Sequence, residues 1–160
     1  VLVLFRTDAV KKMQLRKITK ENHGAAINCF AFYPKENGRD NMVATVGGNQ
    51  LNIYDNEHFG NHFDLSCHFV NEKTEYASGG SLNVLAWILV PPSNNEALVA
   101  VGGESSDVSI ISLANLSVVS LLKGHEGPIT ALAAHPSAYN VVFSACSSDG
   151  TIKMWFVPSE

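Results

Sequence analysis

The sequence predicts an all-β protein built from a repeated four-stranded unit, and three observations support this fold class. Residues 116–157 contain four short runs of β-forming side chains, separated by turns rich in Gly, Pro, Asp and Ser. Residues 42–48 (MVATVGG) and 97–103 (ALVAVGG) are nearly the same sequence, 55 positions apart. No apolar run approaches the roughly 20 residues of a membrane-spanning helix. Repetition of one β-unit is therefore the main organising feature of the chain.

The composition predicts one soluble globular body with a real core. The chain has 160 residues, of which 46% are hydrophobic and 16% charged, and its formal net charge is −4. Residues 1–5 are apolar but too few for the core of a signal peptide. Cys29, Cys67 and Cys146 are widely spaced and contain no C-x-x-C pair, which predicts reduced thiols in an intracellular protein. We expect no cofactor, no small-molecule substrate and no membrane partner.

The elements follow in order along the chain. Residues 1–21 are predicted to form two opening strands, 22–70 one unit, 78–123 a second unit, and 124–160 an incomplete third unit. Alternating or continuous β-forming runs, bounded by Gly, Pro and Asn, define each strand. The predicted strands are 1–6, 13–18, 27–33, 42–46, 51–54, 62–70, 82–90, 97–101, 108–113, 116–122, 129–134, 141–146 and 151–157.

The third unit carries the most specific motif. Gly124-His125 is followed about 30 residues later by Trp155-Phe156, with Asp149 in the tight turn between the last two predicted strands. This pattern resembles the WD-repeat family of β-propellers, in which a Gly-His pair leads to a Trp-Asp pair. Phe156 replaces the usual aspartate.

The resemblance implies a structural hydrogen-bond cluster. In the family, a His, a Ser or Thr, an Asp and the Trp form a buried chain, and His125, Asp149 and Trp155 match three of these places. Ser144 matches the hydroxyl, with Ser147 as the alternative. Buried polar groups are normally satisfied ones, so the cluster is predicted to hold the fold rather than to catalyse. The first unit has His23 in the place of His125, but Gly48 where the Asp is expected, so its cluster is predicted to be incomplete.

Three units do not close a ring, because propellers use about four to eight blades. The fold class predicted is therefore an all-β WD-repeat β-propeller, with about three four-stranded blades in this chain as part of a seven-bladed ring. The alternative is a small self-contained β-sandwich.

Four further segments carry a closer resemblance. These are residues 20–23 (KENH), 44–49 (ATVGGN), 85–87 (LAW) and 98–102 (LVAVG). In their order and spacing they resemble the propeller subunit of Polycomb repressive complex 2. The leucine-rich-repeat and WD-repeat protein associated with the origin recognition complex shares much of the pattern and is the second choice.

The Polycomb resemblance implies a function. It implies a non-catalytic nuclear scaffold of a repressive chromatin complex, binding a histone tail and a SET-domain methyltransferase subunit. In that family an aromatic cage reads trimethyl-lysine, because π-faces attract a quaternary ammonium. The two cage positions that fall in this chain are Asn28 and Asn83, whose amides offer hydrogen bonds instead. The two residues are candidates to bind an unmodified peptide, or are ordinary rim residues.

The sequence leaves other hypotheses beside the Polycomb-like scaffold. The second resemblance implies a scaffold of a replication origin or another assembly that reads no histone mark. The third hypothesis is an enzyme on a propeller fold, but the acidic residues lie mostly in loops with no evident base. The cluster His58, His62, Cys67 and His68 lacks the spacing of a metal site, so no metal is predicted.

A basic segment near the start of the chain is a candidate for weak DNA contact. Six of the eleven basic residues lie within residues 6–20, including Lys11, Lys12, Arg16 and Lys17. No aromatic residues are interleaved for base stacking, which favours a solvated strand face.

Overall fold

The computed structural model describes residues 18, 23–34, 41–55, 63–91 and 96–158. All regular elements in these ranges are β-strands. The same ranges contain no helix that is long and apolar enough to cross a membrane. The strands are β1 (Ile27–Phe32), β2 (Met42–Gly47), β3 (Gln50–Asp55), β4 (Asp64–Val70), β5 (Leu82–Ile88), β6 (Leu98–Gly103), β7 (Val108–Ser112), β8 (Ser117–Leu122), β9 (Ile129–Ala134), β10 (Val141–Cys146) and β11 (Thr151–Phe156).

The strands form three antiparallel sheets in chain order. The first has the order β1-β2-β3-β4, the second β5-β6-β7-β8, and the third contains only β9, β10 and β11, with β10 in the middle. Every pair of neighbouring strands is consecutive in the sequence, so each sheet is a meander. This arrangement agrees with the predicted all-β fold of successive blades.

Turn chemistry fixes the register of the hairpins. Gly47 pairs with Gln50, which leaves a two-residue loop that begins with Gly48 at φ +54°. A two-residue loop with a positive φ at its first position favours glycine there, because most other side chains are strained in that region. The turn between β10 and β11 is longer, since Cys146 pairs with Thr151, and its last residue is Gly150 at φ +65°.

The hydrophobic core lies between the sheets. Val46, Leu51 and Ile53 of the first sheet pack with Trp87 and Val99 of the second sheet in one cluster. On the other side of the second sheet, a separate cluster joins it to the third, and its members include Val108, Ile110, Ile129, Val142 and Trp155.

The second sheet is therefore covered on both faces. All residues of β6 and β7 are buried, which explains why the sequence of β6 is a continuous apolar run rather than an alternating one. At Gly102 an added Cβ would lie 3.0 Å from side-chain carbons of Ile129. The second and third sheets thus approach each other closely at a residue without a side chain.

The predicted strands agree with the structure to within two residues at each end. The prediction for residues 82–90 was too long, since β5 ends at Ile88 before the Pro91 turn. The predicted strand 62–70 begins only at Asp64. The predicted strand 1–6 and residues 13–17 of the predicted strand 13–18 lie outside the described residues, and residue 18 is in no strand. Each described sheet falls within one of the segments 22–70, 78–123 and 124–160, and these boundaries and the seven-bladed ring stay predictions.

Trp87 joins the first two sheets, and its replacement gives a first testable prediction. Its indole Nε1–H donates to the carbonyl oxygen of Ala31 at 3.1 Å, and its ring meets Tyr33 edge-on with centroids 4.9 Å apart. Trp87→Phe should lower the free energy of unfolding by about 1–2 kcal/mol, because the carbonyl loses its donor and some ring contact is lost. Urea denaturation measures the change. Tyr139→Phe alters an aromatic residue at a half-exposed site, and a loss as large there would contradict the explanation.

Candidate functional sites

A directed chain of hydrogen bonds lies within the third sheet and the turns beside it. The indole Nε1–H of Trp155 donates to Ser144 Oγ at 2.7 Å. The Ser144 hydroxyl donates to His125 Nε2 at 2.7 Å, and His125 Nδ1–H donates to Asp149 Oδ2 at 2.7 Å. An ionised carboxylate only accepts, which places the imidazole proton on Nδ1 and leaves Nε2 to accept from serine. The structure thus brings together the four side chains that the sequence predicted, and it selects Ser144 rather than the exposed Ser147.

Asp149 is the acceptor at the end of this chain. Its carboxylate also accepts the backbone N–H of Glu126 at 3.2 Å, and the N–H and hydroxyl of Thr151 at 2.9 and 2.8 Å. Burial would raise the pKa of Asp149, but the hydrogen bonds from His125, Thr151 and Glu126 outweigh it and hold this pKa well below its ordinary value.

Sequence reasoning missed Thr151. The signal was present, because an aspartate commonly accepts from the backbone two residues further on in a tight turn.

The order Ser144–His125–Asp149 has the connectivity of a nucleophile, a base and an orienting acid. Ser144 is only 1% exposed, however, and its oxygen already accepts from the indole of Trp155. A nucleophile must reach a substrate atom, and this hydroxyl lies between two side chains in the core. The geometry is that of a satisfied buried network.

His125, Cys146 and Asp149 place potential metal-ligand atoms within 4.8 Å of one another. Both ring nitrogens of His125 are engaged, Nδ1 with Asp149 and Nε2 with Ser144. A metal would have to displace one of these hydrogen bonds, so the present arrangement serves the network and not an ion. His58 and His62 lie outside the described residues, and His68 Nδ1 bonds to Asn52 Oδ1 at 2.6 Å.

The equivalent places in the other two sheets show how the cluster changes. Alignment by strand pairing sets Thr45 and Val101 in the place of Ser144. In the first sheet His23 Nε2 bonds to Thr45 Oγ1 at 2.9 Å, so the histidine–hydroxyl half of the cluster is present there. In the second sheet Val101 and Ile111 occupy the hydroxyl and tryptophan places and pack in the core instead.

Asn28 and Asn83, the candidate peptide-binding residues, lie side by side. Asn28 Nδ2 donates to Asn83 Oδ1 at 3.0 Å and to the carbonyl oxygen of Leu82 at 2.9 Å. Both residues are exposed. Among the described residues, the Asn28 side-chain oxygen and the Asn83 side-chain nitrogen make no hydrogen bond, so one acceptor oxygen and the two N–H donors of one amide are left for a ligand.

A β-bulge produces this position. The register of β1 skips Asn28, between Ile27 and Cys29, and the register of β5 skips Asn83, between Leu82 and Val84. The register of β9 skips Thr130 in the same way. Bulges re-aim one side chain and are frequent beside binding sites.

Thr130, which sequence reasoning missed, is therefore the third member of this set. It is exposed, and its hydroxyl donates to the carbonyl oxygen of Ala145 at 3.2 Å. Thr130 is equivalent to the two asparagines by its position in the strand register. The sequence does not show this equivalence, because threonine and asparagine are different residue types.

The described sheets and the buried polar cluster define a class of protein. They have the geometry of blades in a β-propeller. Residues 116–155 match the family described as WD domain, G-beta repeat, and the three sheets have the fold that the sequence predicted.

Among curated proteins, the chain is similar to pre-mRNA-processing factor 19 from Homo sapiens. The two are 37% identical over 76 residues, which is 48% of this chain and 14% of that protein. It is also similar to the TSET complex member tstE from Dictyostelium discoideum, with 40% identity over 53 residues, 32% of this chain and 4% of that protein. The similarity thus spans a small part of each relative.

Among solved structures, the chain is similar to the propeller fold in Polycomb repressive complex 2. A structure of the complex with histone H3 sequences, one of them trimethylated, has a TM-score of 0.70 and 20% identity, covering 82% of this chain and 27% of that one. A humanized mutant of the Chaetomium thermophilum complex has a TM-score of 0.70 and 18% identity, covering 88% and 31%. At these identities the likeness establishes the fold.

Proposed function

We propose that this chain is a non-catalytic scaffold in a nuclear chromatin complex, where its sheets present loops and bulged residues to a histone tail and to a methyltransferase subunit. The observation that carries the proposal is the adjacent pair Asn28 and Asn83, exposed on equivalent bulges of two neighbouring sheets. The fold likeness to Polycomb repressive complex 2, one structure of which contains histone H3 sequences, supports the same kind of ligand. Rigid sheets that hold exposed polar groups suit peptide docking.

The chemistry of the pair favours an unmodified peptide backbone or polar side chain. Asn28 retains a carbonyl acceptor and Asn83 a pair of amide donors, which together match the donor and acceptor of one extended peptide residue. Neither amide offers the π-face that attracts a trimethylammonium group. Discrimination for trimethyl-lysine is therefore not expected from these two positions.

A peptide-binding measurement tests this proposal. We expect an unmodified histone H3 tail peptide and its trimethyl-lysine counterparts to bind with dissociation constants within about threefold of one another. The double replacement Asn28→Ala with Asn83→Ala should weaken both about five- to thirtyfold, the effect of losing one or two hydrogen bonds of about 1 kcal/mol each. Fluorescence anisotropy with labelled peptides gives the constants.

The control for this measurement is Asn115→Ala, on the turn before β8 in the second sheet. Equal binding by wild type and the double variant would contradict the assigned site. A preference for trimethyl-lysine of tenfold or more would contradict the hydrogen-bonding chemistry. Co-purification with a SET-domain methyltransferase, whose activity falls when this subunit is removed, tests the assembly itself.

The similarity to pre-mRNA-processing factor 19 favours a second candidate, a scaffold in another assembly that reads no histone mark. Its distinguishing result is stable co-purification with partners other than a SET-domain methyltransferase. The replication-origin scaffold belongs to this candidate and predicts a leucine-rich repeat upstream in the same polypeptide. The basic residues Lys11, Lys12, Arg16 and Lys17 lie outside the described residues, and no contact with DNA enters either proposal.

A further inference from the structure

The outermost strand of the second sheet, β8, has a cavity on each side. The larger cavity, about 550 Å³, lies between β8, the end of β4 and the connection that follows β4. The smaller, about 250 Å³, lies between β8 and residues near the start of β6 and the end of β11. Val119 and Ser120 line both cavities. β8 thus separates the two cavities.

The larger cavity follows the edge of this strand. Four successive residues, 118–121, line it. Neighbouring side chains of a strand point to opposite faces of the sheet. Four successive residues can therefore line one cavity only when that cavity runs along the edge of the strand. In the described parts of the chain no strand pairs with the outer side of β8. An open edge beside a cavity is the geometry used when an extended peptide adds to a sheet.

A bulge limits how much of this edge can pair. Ile110 is opposite Ser120 and Ile111 is opposite Val118, so Val119 is skipped. Val118 and Val119 are 38% and 41% exposed. Bulges shorten the regular edge and protect it against unlimited strand addition. Recognition at β8 therefore depends on a side chain that enters the cavity more than on a long ladder.

A hydrogen bond holds one wall of the larger cavity in place, and the one charged residue in its described lining is acidic. The Lys123 ammonium donates to the carbonyl oxygen of Tyr76 at 2.9 Å, which ties the connection after β4 to the end of β8. Glu72 lines the larger cavity and Glu96 the smaller one. No lysine or arginine is among the described residues that line either cavity. The charge complementary to this surface is positive.

We propose that β8 is a docking site for an extended peptide segment of a partner protein, with one bulky apolar side chain in the larger cavity and a basic residue beside it facing Glu72. A volume of about 550 Å³ lies within the range of sites that bury such a group. This site is separate from the Asn28–Asn83 pair, which lies on the first strands of the two sheets, whereas β8 is the last strand of the second. It does not depend on the proposed histone contact.

Selection from a phage-displayed library of random twelve-residue peptides on the full chain tests the proposal. We expect enriched peptides to contain a Phe, Leu, Ile or Met within two residues of Lys or Arg. A synthesised, labelled representative should bind the wild type and lose at least tenfold in affinity on Ala77→Trp, which fills the larger cavity from its exposed loop. Glu72→Lys should weaken binding about three- to tenfold, and this effect should shrink in high salt.

The matched control is Glu75→Lys, which reverses a charge in the same connection at a residue outside the cavity lining. It should leave the affinity within twofold of the wild type, and circular dichroism should show equal thermal unfolding for all variants. The proposal is overturned if no peptide is enriched, if Ala77→Trp and Glu72→Lys both leave the affinity unchanged, or if binding is lost on Asn28→Ala with Asn83→Ala. A dimer in size-exclusion chromatography that Ala77→Trp dissociates would also overturn it, since the occupant would then be a second copy of the chain.

Discussion

Replacement of Ser144 by alanine is expected to lower the free energy of unfolding by about 3 kcal/mol. Ser144 Oγ accepts from Trp155 Nε1–H and donates to His125 Nε2, both at 2.7 Å. Without it, the buried His125 imidazole and the half-buried Trp155 indole both lose their partner. A buried polar group left unsatisfied costs about 1–3 kcal/mol, and both are affected here. Equilibrium unfolding in urea, followed by Trp fluorescence, measures the difference.

Two variants make this prediction specific. Ser147→Ala removes the hydroxyl of a neighbouring exposed serine and should change the stability by less than about 0.5 kcal/mol. Ser144→Thr keeps the hydroxyl and should recover most of the loss, since threonine occupies the equivalent place in the first sheet, where Thr45 bonds to His23. Equal losses for Ser144→Ala and Ser147→Ala would show that the hydrogen-bond cluster does not stabilise this sheet.

The cluster illustrates what could be predicted from the sequence. His125, Asp149 and Trp155 were predicted from the resemblance to WD repeats, because they match the positions of the His, the Asp and the Trp in that family's pattern. The choice between Ser144 and Ser147 required the structure, because it depends on which way the strand faces. The pairing of Ser144 with Leu132 and Lys153 fixes that direction. A shift of the strand register by one residue would place the Ser144 side chain on the other face of the sheet.

The strands were predictable for a related reason. Gly-rich turns and β-branched runs are local signals, and β2, β6 and β10 lie within one residue of their expected bounds at most ends. The bulges at Asn28, Asn83 and Thr130 carry no local signal, because a bulge is defined by its partner strand. For that reason the contact between Asn28 and Asn83, and the equivalence of Thr130 to both, were beyond the sequence alone.

The acid dependence of stability is the second large effect that the cluster predicts. Hydrogen bonds from His125, Thr151 and Glu126 hold the pKa of Asp149 below its ordinary value in the folded state, whereas the unfolded chain has an aspartate pKa of about 4. A carboxyl group whose folded pKa is depressed contributes stability above the unfolded pKa, and loses it as the pH falls toward the folded value. The contribution of Asp149 should therefore be complete above about pH 5 and should decline steadily below pH 4.

Asp149→Asn separates this contribution from other acid effects. The melting temperatures of wild type and variant should differ by a constant amount above pH 5, with the wild type more stable, and the gap should narrow as the pH falls from 4 toward 2. The control is Asp107→Asn, which also removes one negative charge. Asp107 directly precedes β7 in the second sheet and is not part of the cluster, so this variant corrects for the change in net charge. A gap that stays constant down to pH 2 would mean that Asp149 titrates alike in the folded and unfolded chains. Its bonds to His125 and Thr151 would then not stabilise its ionised form. The cluster would stabilise the third sheet only through the hydrogen bonds of Ser144 to His125 and Trp155.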